Sequence, residues 1–135
     1  MAIDLPWVNQ AAAPGMVRAE LDWQGSPGVA GAITSALAGW GRLRFEVTEE
    51  ASPGCDAVRY SCTPDLGVFS SVTGANGDIL IPENKLRAAL ALGANGTSSL
   101  EKELEKLLGA AWDNELEPFR RAGDGAPVRW LNATG

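Results

Sequence analysis

The sequence predicts an α+β fold in which a mixed or antiparallel sheet carries helices on one face. Between Val17 and Glu50 the spacing of apolar residues changes from two, to about 3.6, and back to two. Alternation up to Trp23, and again from Arg42, is typical of strands with one buried face. The segment between them spaces its apolar residues as one helical stripe: Val29, Ile33, Leu37 and Trp40. A strand, a helix and a strand therefore form the predicted central unit.

Turn and capping residues set the limits of this unit. Ser26 is a favourable N-cap, and Pro27 suits the first helical position because no backbone donor is needed there. Gly39 ends the helix. Apolar residues up to Trp7 predict a short strand upstream, which would form a hairpin with the first strand of the unit.

The second half of the chain adds strands and then helices. Strands are predicted at residues 58–62, 68–73 and 79–81, and helices at residues 82–93 and 98–109. Ser98 and Glu101 open the second helix at the spacing of a capping box. This helix is expected to bury four leucines: Leu100, Leu104, Leu107 and Leu108. The chain is thus expected to form one domain, residues 1–135, with a C-terminal helical extension.

The end of the chain has weaker patterns. Residues 112–119 predict at most a short turn of helix, because Pro118 interrupts the pattern. Residues 127–131 fit either a strand or a tail that lies on the core.

Composition excludes several function classes. A formal charge of −6 argues against nucleic acid, whose binding requires clustered Lys and Arg. No apolar run approaches the roughly 20 residues that span a bilayer, and the N-terminus lacks the pattern of a secretion signal. We therefore expect a cytoplasmic protein with no membrane and no nucleic-acid partner.

The chain contains no histidine, which removes imidazole bases, histidine metal ligands and Ser-His-Asp triads. Catalysis would need carboxylates, Tyr60, a lysine or a thiol. Cys55 and Cys62 do not have the spacing of a zinc site or a redox motif, so reduced structural thiols are expected. The sequence therefore assigns no catalytic set, no metal site and no cofactor.

Asp113, Glu115 and Glu117 form the densest group of acids next to aromatic residues. Such carboxylates can divide acid and base roles or bind a divalent cation. They can equally pair with Arg120 and Arg121 or cap a helix. The cluster is therefore a candidate site with a purely structural alternative.

Aromatic residues supply the other candidates. Trp23 and Trp40 end predicted apolar stripes and are expected in the core. Trp7 and two tryptophans of the C-terminal region fit a core or an interface equally well. Residues of that region are the candidates for binding a partner or ligand: Trp112, Asp113, Glu115, Glu117, Arg120, Arg129 and Trp130.

The predicted central sheet also has a polar face, which includes Arg18, Arg44 and Glu46. Such a face can be solvent-exposed, can carry a ligand, or can be covered by the C-terminal segment. Its mixed charges favour solvation or pairing within the chain.

Several segments resemble an uncharacterised actinobacterial family, the Domain of Unknown Function 3145 family. The segments that carry the resemblance span nearly the whole chain: residues 23–25, 35–40, 43–48, 72–74, 77–83, 112–120 and 126–131. The resemblance implies that longer relatives have a further strand and helix ahead of the position of Ile3. The complete unit would then be a ferredoxin-like βαβ core, and this chain, without that strand and helix, is expected to self-associate or to have low solubility.

Three functions stay open from the sequence. The first is a non-enzymatic regulatory or protein-interaction module that uses the sheet face and residues 112–130. The second is a metal-assisted enzyme that uses Asp113, Glu115 and Glu117. The third is a sensor of a small metabolite, similar to amino-acid-binding regulatory domains, with its ligand at the edge of a homo-oligomer.

Overall fold

The computed structural model describes residues 7–9 and 15–120. Short strands and one helix come first, then a run of strands, then three helices. The elements are β1 (Val8–Asn9), β2 (Val17–Arg18), α1 (Val29–Ala38), β3 (Phe45–Glu49), β4 (Ala57–Thr63), β5 (Gly67–Thr73), β6 (Ile79–Leu80), α2 (Glu83–Ala94), α3 (Leu100–Leu108) and α4 (Ala110–Arg120). This order confirms the α+β class and the C-terminal helical extension.

The main sheet is an antiparallel meander of β3, β4, β5 and β6, in that spatial order. Phe45 pairs with Cys62 at one end of β3, and Glu49 pairs with Val58 at the other. β1 and β2 form a separate two-stranded hairpin, so β2 is not a neighbour of β3. A ferredoxin-like arrangement, which would place the strands flanking α1 in one sheet, is not confirmed within the described residues.

The two faces of the sheet carry different helices. The side chain of Tyr60 lies against α1, where its hydroxyl oxygen would be 3.2 Å from a Cβ added at Gly31. The preceding residue, Arg59, points the opposite way and interacts with Asp113 of α4. The prediction that the helices lie on one face is therefore wrong, because α1 and α4 pack on opposite faces.

The first predicted strand is much shorter than expected. Only Val17 and Arg18 are in β-structure, and the apolar residues that continue the alternation, Leu21 and Trp23, are 46% and 44% exposed. Alternation over a few residues often arises by chance, and here it does not identify a strand. The prediction that Trp23 lies in the core is wrong.

α1 faces the sheet one residue away from the predicted stripe. Ala30 and Thr34 are its buried residues, whereas Ile33 and Leu37 are only partly buried. Trp40, the last residue of the predicted stripe, lies beyond the helix and is 69% exposed. The prediction that Trp40 lies in the core is therefore also wrong.

Few large side chains are fully buried among the described residues. The buried apolar residues are Ala30, Val47, Ala57, Cys62, Ala89 and Leu116. Both cysteines are free, as expected. The buried polar residues are Thr34, Arg59, Ser61, Thr63 and Thr73, and the last four belong to β4 and β5. A largely polar layer therefore lies between the sheet and α4.

α2 and α3 pack against each other, and α3 also contacts α4. The N-cap of α3 is Ser99, whose hydroxyl accepts a hydrogen bond from the Lys102 amide, one residue later than the predicted capping box. None of the residues of α3 is buried, and Leu100 and Leu108 are exposed. The expectation that α3 buries its four leucines is wrong, because its neighbours cover only part of its apolar face.

α4 is a full helix from Ala110 to Arg120 and not a short turn. Pro118 lies inside it and removes one backbone donor, that of the bond to Asn114. Leu116 is buried and Arg120 reaches the sheet, so tertiary contacts offset this loss. Among the described residues, no helix has the length and apolar character needed to cross a bilayer.

Candidate functional site

The charged residues of α4 converge on the polar face of the sheet. The Arg120 Nε donates to both carboxylate oxygens of Glu46, at 3.1 and 3.2 Å. The other guanidinium nitrogens donate to Asp113 Oδ1 at 2.9 Å and to Glu117 Oε2 at 3.2 Å. Arg120 thus binds two carboxylates of its own helix and one of β3.

Helical and strand periodicity together explain this convergence. Asp113, Glu117 and Arg120 are spaced by four and three residues, which places them on one side of α4. Glu46 is opposite Ser61 of β4, so both face the same side of the sheet. That side is the one on which α4 packs, and the α4 cluster, as we call Glu46, Asp113, Glu117 and Arg120, forms between them.

A second ion pair lies beside this cluster. The Nε of Arg44 is 3.4 Å from Oε1 of Glu115, and both atoms are buried without a hydrogen-bond partner. The Arg44 guanidinium also lies 5.0 Å from the ring centroid of Phe119. Opposite charge and an aromatic face compensate for the missing hydrogen bond.

Burial changes the protonation equilibria in this layer. Burial raises the pKa of Glu46 above its usual value, although the hydrogen bonds and charge of Arg120 act against the change. Burial alone would lower the pKa of Arg120, but the hydrogen bonds and charges of Glu46 and Asp113 outweigh it and raise that pKa. Burial lowers the pKa of Arg59, and the charges of Asp113 and Glu46 offset part of the effect.

The chemistry available to the α4 cluster is ion pairing. Each of its carboxylates accepts a hydrogen bond from a guanidinium group, and Glu115 faces another. Within residues 7–9 and 15–120, no three His, Cys, Asp or Glu side chains are grouped closely enough to hold a metal ion. The arrangement therefore holds α4 on the sheet and gives the metal-assisted alternative no geometric support.

Trp112 is held within the fold. Its indole Nε1 donates to the carbonyl oxygen of Gly67 at 2.9 Å, and its ring lies 5.1 Å from that of Phe69. The candidates Trp112, Asp113, Glu115, Glu117 and Arg120 thus all contact the sheet or each other. Arg129 and Trp130 lie outside the described residues, as does the predicted strand or tail at 127–131.

Within the part of the chain that the structure describes, the opposite face of the sheet is only half covered. α1 packs mainly on β3 and β4. Val68 of β5 pairs with Cys62, and Leu80 of β6 pairs with Val72, so both point to the α1 side. They are 45% and 52% exposed. We call this surface of β5 and β6 on the α1 side the open half-face.

A small pocket lies where the open half-face meets α1. Its volume is about 100 Å³, and its walls are mainly apolar. Leu37 and Leu43 line it from the α1 side, and Cys62 and Val68 line it from the sheet. Burial raises the pKa of the Cys62 thiol, which keeps the pocket uncharged. Trp40 directly precedes Gly41, which also lines the pocket, and is exposed.

Sequence reasoning identified the charged residues of α4 but not the surface of Val68 and Leu80. Both residues were expected only as members of strands. A signal was present in β4, where Arg59, Ser61 and Thr63 alternate with apolar residues. Complementary charge between this polar side and the acid-rich α4 would have placed α4 there and left part of the apolar side uncovered.

Comparison with known proteins agrees with the resemblance found in the sequence. The model of a family described as a protein of unknown function, DUF3145, matches residues 1–133. The chain belongs to the DUF3145 family. No curated protein and no solved structure matches the chain. Membership in DUF3145 supplies no activity, so a function has to be argued from the surface.

Proposed function

We propose that this protein is a non-enzymatic interaction module that binds a protein partner on the open half-face of its sheet. The observation that carries the proposal is the exposure of Val68 and Leu80 on a sheet surface that α1 leaves uncovered. Exposed apolar side chains on an uncovered sheet face are typical of interaction sites. Trp40 at its border adds the residue type that most often contributes strongly to binding.

The dimensions of this surface suit a helix or an extended segment. Two neighbouring strands occupy about 10 Å of sheet width, which is roughly the diameter of a helix with its side chains. α1 already occupies the neighbouring strands of the same face. A partner segment on β5 and β6 would therefore lie beside α1 and complete the layer.

The pocket favours a protein partner over a free metabolite. Ligand pockets for small molecules usually measure about 300–1,000 Å³. A cavity of about 150 Å³ accommodates benzene. The pocket has a smaller volume of about 100 Å³, so it fits a side chain with fewer carbon atoms than benzene. We infer that it receives one aliphatic side chain of the partner, which makes the metabolite sensor the weaker alternative.

Charge near the open half-face indicates which flanking residues the partner needs. Asp65 lies in the turn before β5, and Asp78 lies in the turn between β5 and β6, so the two acids flank opposite ends of β5. The chain as a whole carries a charge of −6. A segment with an aliphatic anchor and basic residues at its ends would match this surface.

A capture experiment with matched variants tests the proposal. The immobilised wild-type protein is compared with Leu80→Asp, which introduces a charge on the open half-face. Leu90→Asp is the control, because Leu90 is similarly exposed at 56% and belongs to α2, which packs mainly on α3. Circular dichroism verifies that both variants keep the wild-type fold.

The proposal expects a partner that the wild type and Leu90→Asp both retain and Leu80→Asp loses. A partner that all three proteins retain equally would contradict the assigned surface. Absence of any partner that depends on Leu80 would contradict the proposed function.

A further inference from the structure

We propose that two copies of this chain pair through the outer edge of β3 and form a continuous eight-stranded antiparallel sheet. This interface uses the opposite end of the sheet from the open half-face, and it is independent of the proposed function.

β3 is an edge strand of five residues. It pairs with β4 on one side, and within the described part of the chain residues 45–49 form no other backbone hydrogen bond. The outward backbone groups of an edge strand are a template for pairing with another strand. Residues 42–50 include no proline and no lysine, two residue types that commonly obstruct such pairing.

The charged side chains of β3 do not obstruct the pairing of another strand at this edge. Glu46 is directed to the α4 side, where Arg120 holds it. Glu49 is directed to the α1 side, where its carboxylate accepts hydrogen bonds of 2.9 Å from the Gly28 and Ala30 amides. Both carboxylates are thus engaged above and below the sheet, and the edge between them presents backbone groups.

The helices leave room for a second strand. α1 packs on both β3 and β4, and the main sheet contact of α4 is β4, so neither helix is centred on the outer edge. The four residues of β3 other than Val47 are partly exposed, as expected at an accessible edge. A partner strand can therefore approach in the plane of the sheet.

Charge complementarity selects one register. Antiparallel pairing about a two-fold axis at Val47 places Thr48 opposite Glu46 of the partner subunit and Phe45 opposite the partner's Glu49. The same register places Arg44 opposite Glu50 of the partner subunit at both ends of the interface. No like charges face each other, whereas moving the two-fold axis one residue toward the C-terminus, to Thr48, would pair Glu46 with Glu50 of the partner subunit.

Sedimentation equilibrium tests this interface. The wild type is expected to dimerise, and Glu50→Lys is expected to raise the dimer dissociation constant about tenfold or more, because two attractive pairs become repulsive. Glu105→Lys makes the same charge change at an exposed position of α3 and should leave the dimer unchanged. Leu80→Asp should also leave it unchanged, which separates this interface from the open half-face.

Disulfide trapping reads out the register directly. In a Cys55→Ser background, Val47→Cys places two thiols opposite each other across the two-fold axis and should give a covalent dimer under mild oxidation. Val58→Cys, on the same face but in the inner strand β4, should not. A monomer at all concentrations would overturn the proposal. A dimer that Glu50→Lys does not weaken and Val47→Cys does not trap would overturn it as well.

Discussion

The guanidinium group of Arg120, at the end of α4, pairs with the carboxylate of Glu46 in β3, 74 residues earlier in the chain. The two side chains are only 12% and 11% exposed. This pair joins α4 to β3. It also determines which face of the sheet is covered by α4 and which face is left for a partner.

Removing Arg120 should destabilise the fold strongly. Arg120→Met leaves the buried carboxylate of Glu46 without its charged partner, and we expect a loss of about 3–5 kcal/mol in the free energy of unfolding. Arg87→Met breaks an exposed pair with Glu83 on α2 and should cost less than about 0.5 kcal/mol. Urea denaturation of both variants checks this difference. Equal losses would show that the pair with Glu46 does not anchor α4.

Gly109 is expected to tolerate no side chain. Its φ of +69° is unfavourable for residues with a Cβ, and an added Cβ would lie 2.6 Å from the ring of Phe69. Gly109→Ala should therefore cost about 2–4 kcal/mol, from backbone strain and overpacking together. Gly96→Ala is the control, since Gly96 has a φ of +77° but nothing within 4 Å of an added Cβ. Gly96→Ala should lower the free energy of unfolding by about 1–2 kcal/mol. Thermal unfolding of both variants measures the difference between the two losses.

Glu49 links the stability of α1 to pH. The hydrogen bonds from the Gly28 and Ala30 amides lower the pKa of Glu49 below its usual value of 4.5. Since the unfolded chain then binds the proton more readily, the stabilisation is present above about pH 4.5 and is lost as the pH falls through the lowered pKa. At pH 7 we expect Glu49→Gln to be less stable by about 0.5–1 kcal/mol.

The difference between the wild type and Glu49→Gln should narrow on acidification, as measured by urea denaturation from pH 7 to pH 3. Glu105→Gln reports the effect of removing an exposed carboxylate that does not contact α1. A difference that stays constant or widens at low pH would contradict the role of Glu49 at the start of α1.

The sequence predicted the elements with strong local signals. The hairpin of β5 and β6 and the helix limits near Gly93 and Gly109 follow from turn and capping residues, which act over a few positions. Pro118 is an exception. It predicts that the helix is interrupted, but the tertiary contacts of α4 outweigh the loss of one backbone hydrogen bond.

Burial was less predictable than secondary structure. Alternation in β4 does not indicate which of its two faces is covered, and Arg59 is only 8% exposed because α4 brings complementary charge to its face. Trp40 was expected in the core, yet the helix ends before it at Ala38. In both cases the outcome depends on which element packs on which face, and local periodicity carries no information about that choice.

The reactivity of two neighbouring thiols tests the assignment of the two faces most directly. Ser70 and Ser71 are adjacent in β5 and point to opposite faces, with Ser70 exposed on the open half-face and the Ser71 hydroxyl oxygen buried on the α4 side. Each is replaced by cysteine in a Cys55→Ser background, and the rate of reaction with a thiol reagent is measured under native conditions. We expect Ser70→Cys to react at least about 100-fold faster than Ser71→Cys, since local opening of packed structure limits the second reaction. Equal rates, or a faster reaction of Ser71→Cys, would contradict the assignment of the α4 side as the covered face and the open half-face as the exposed one.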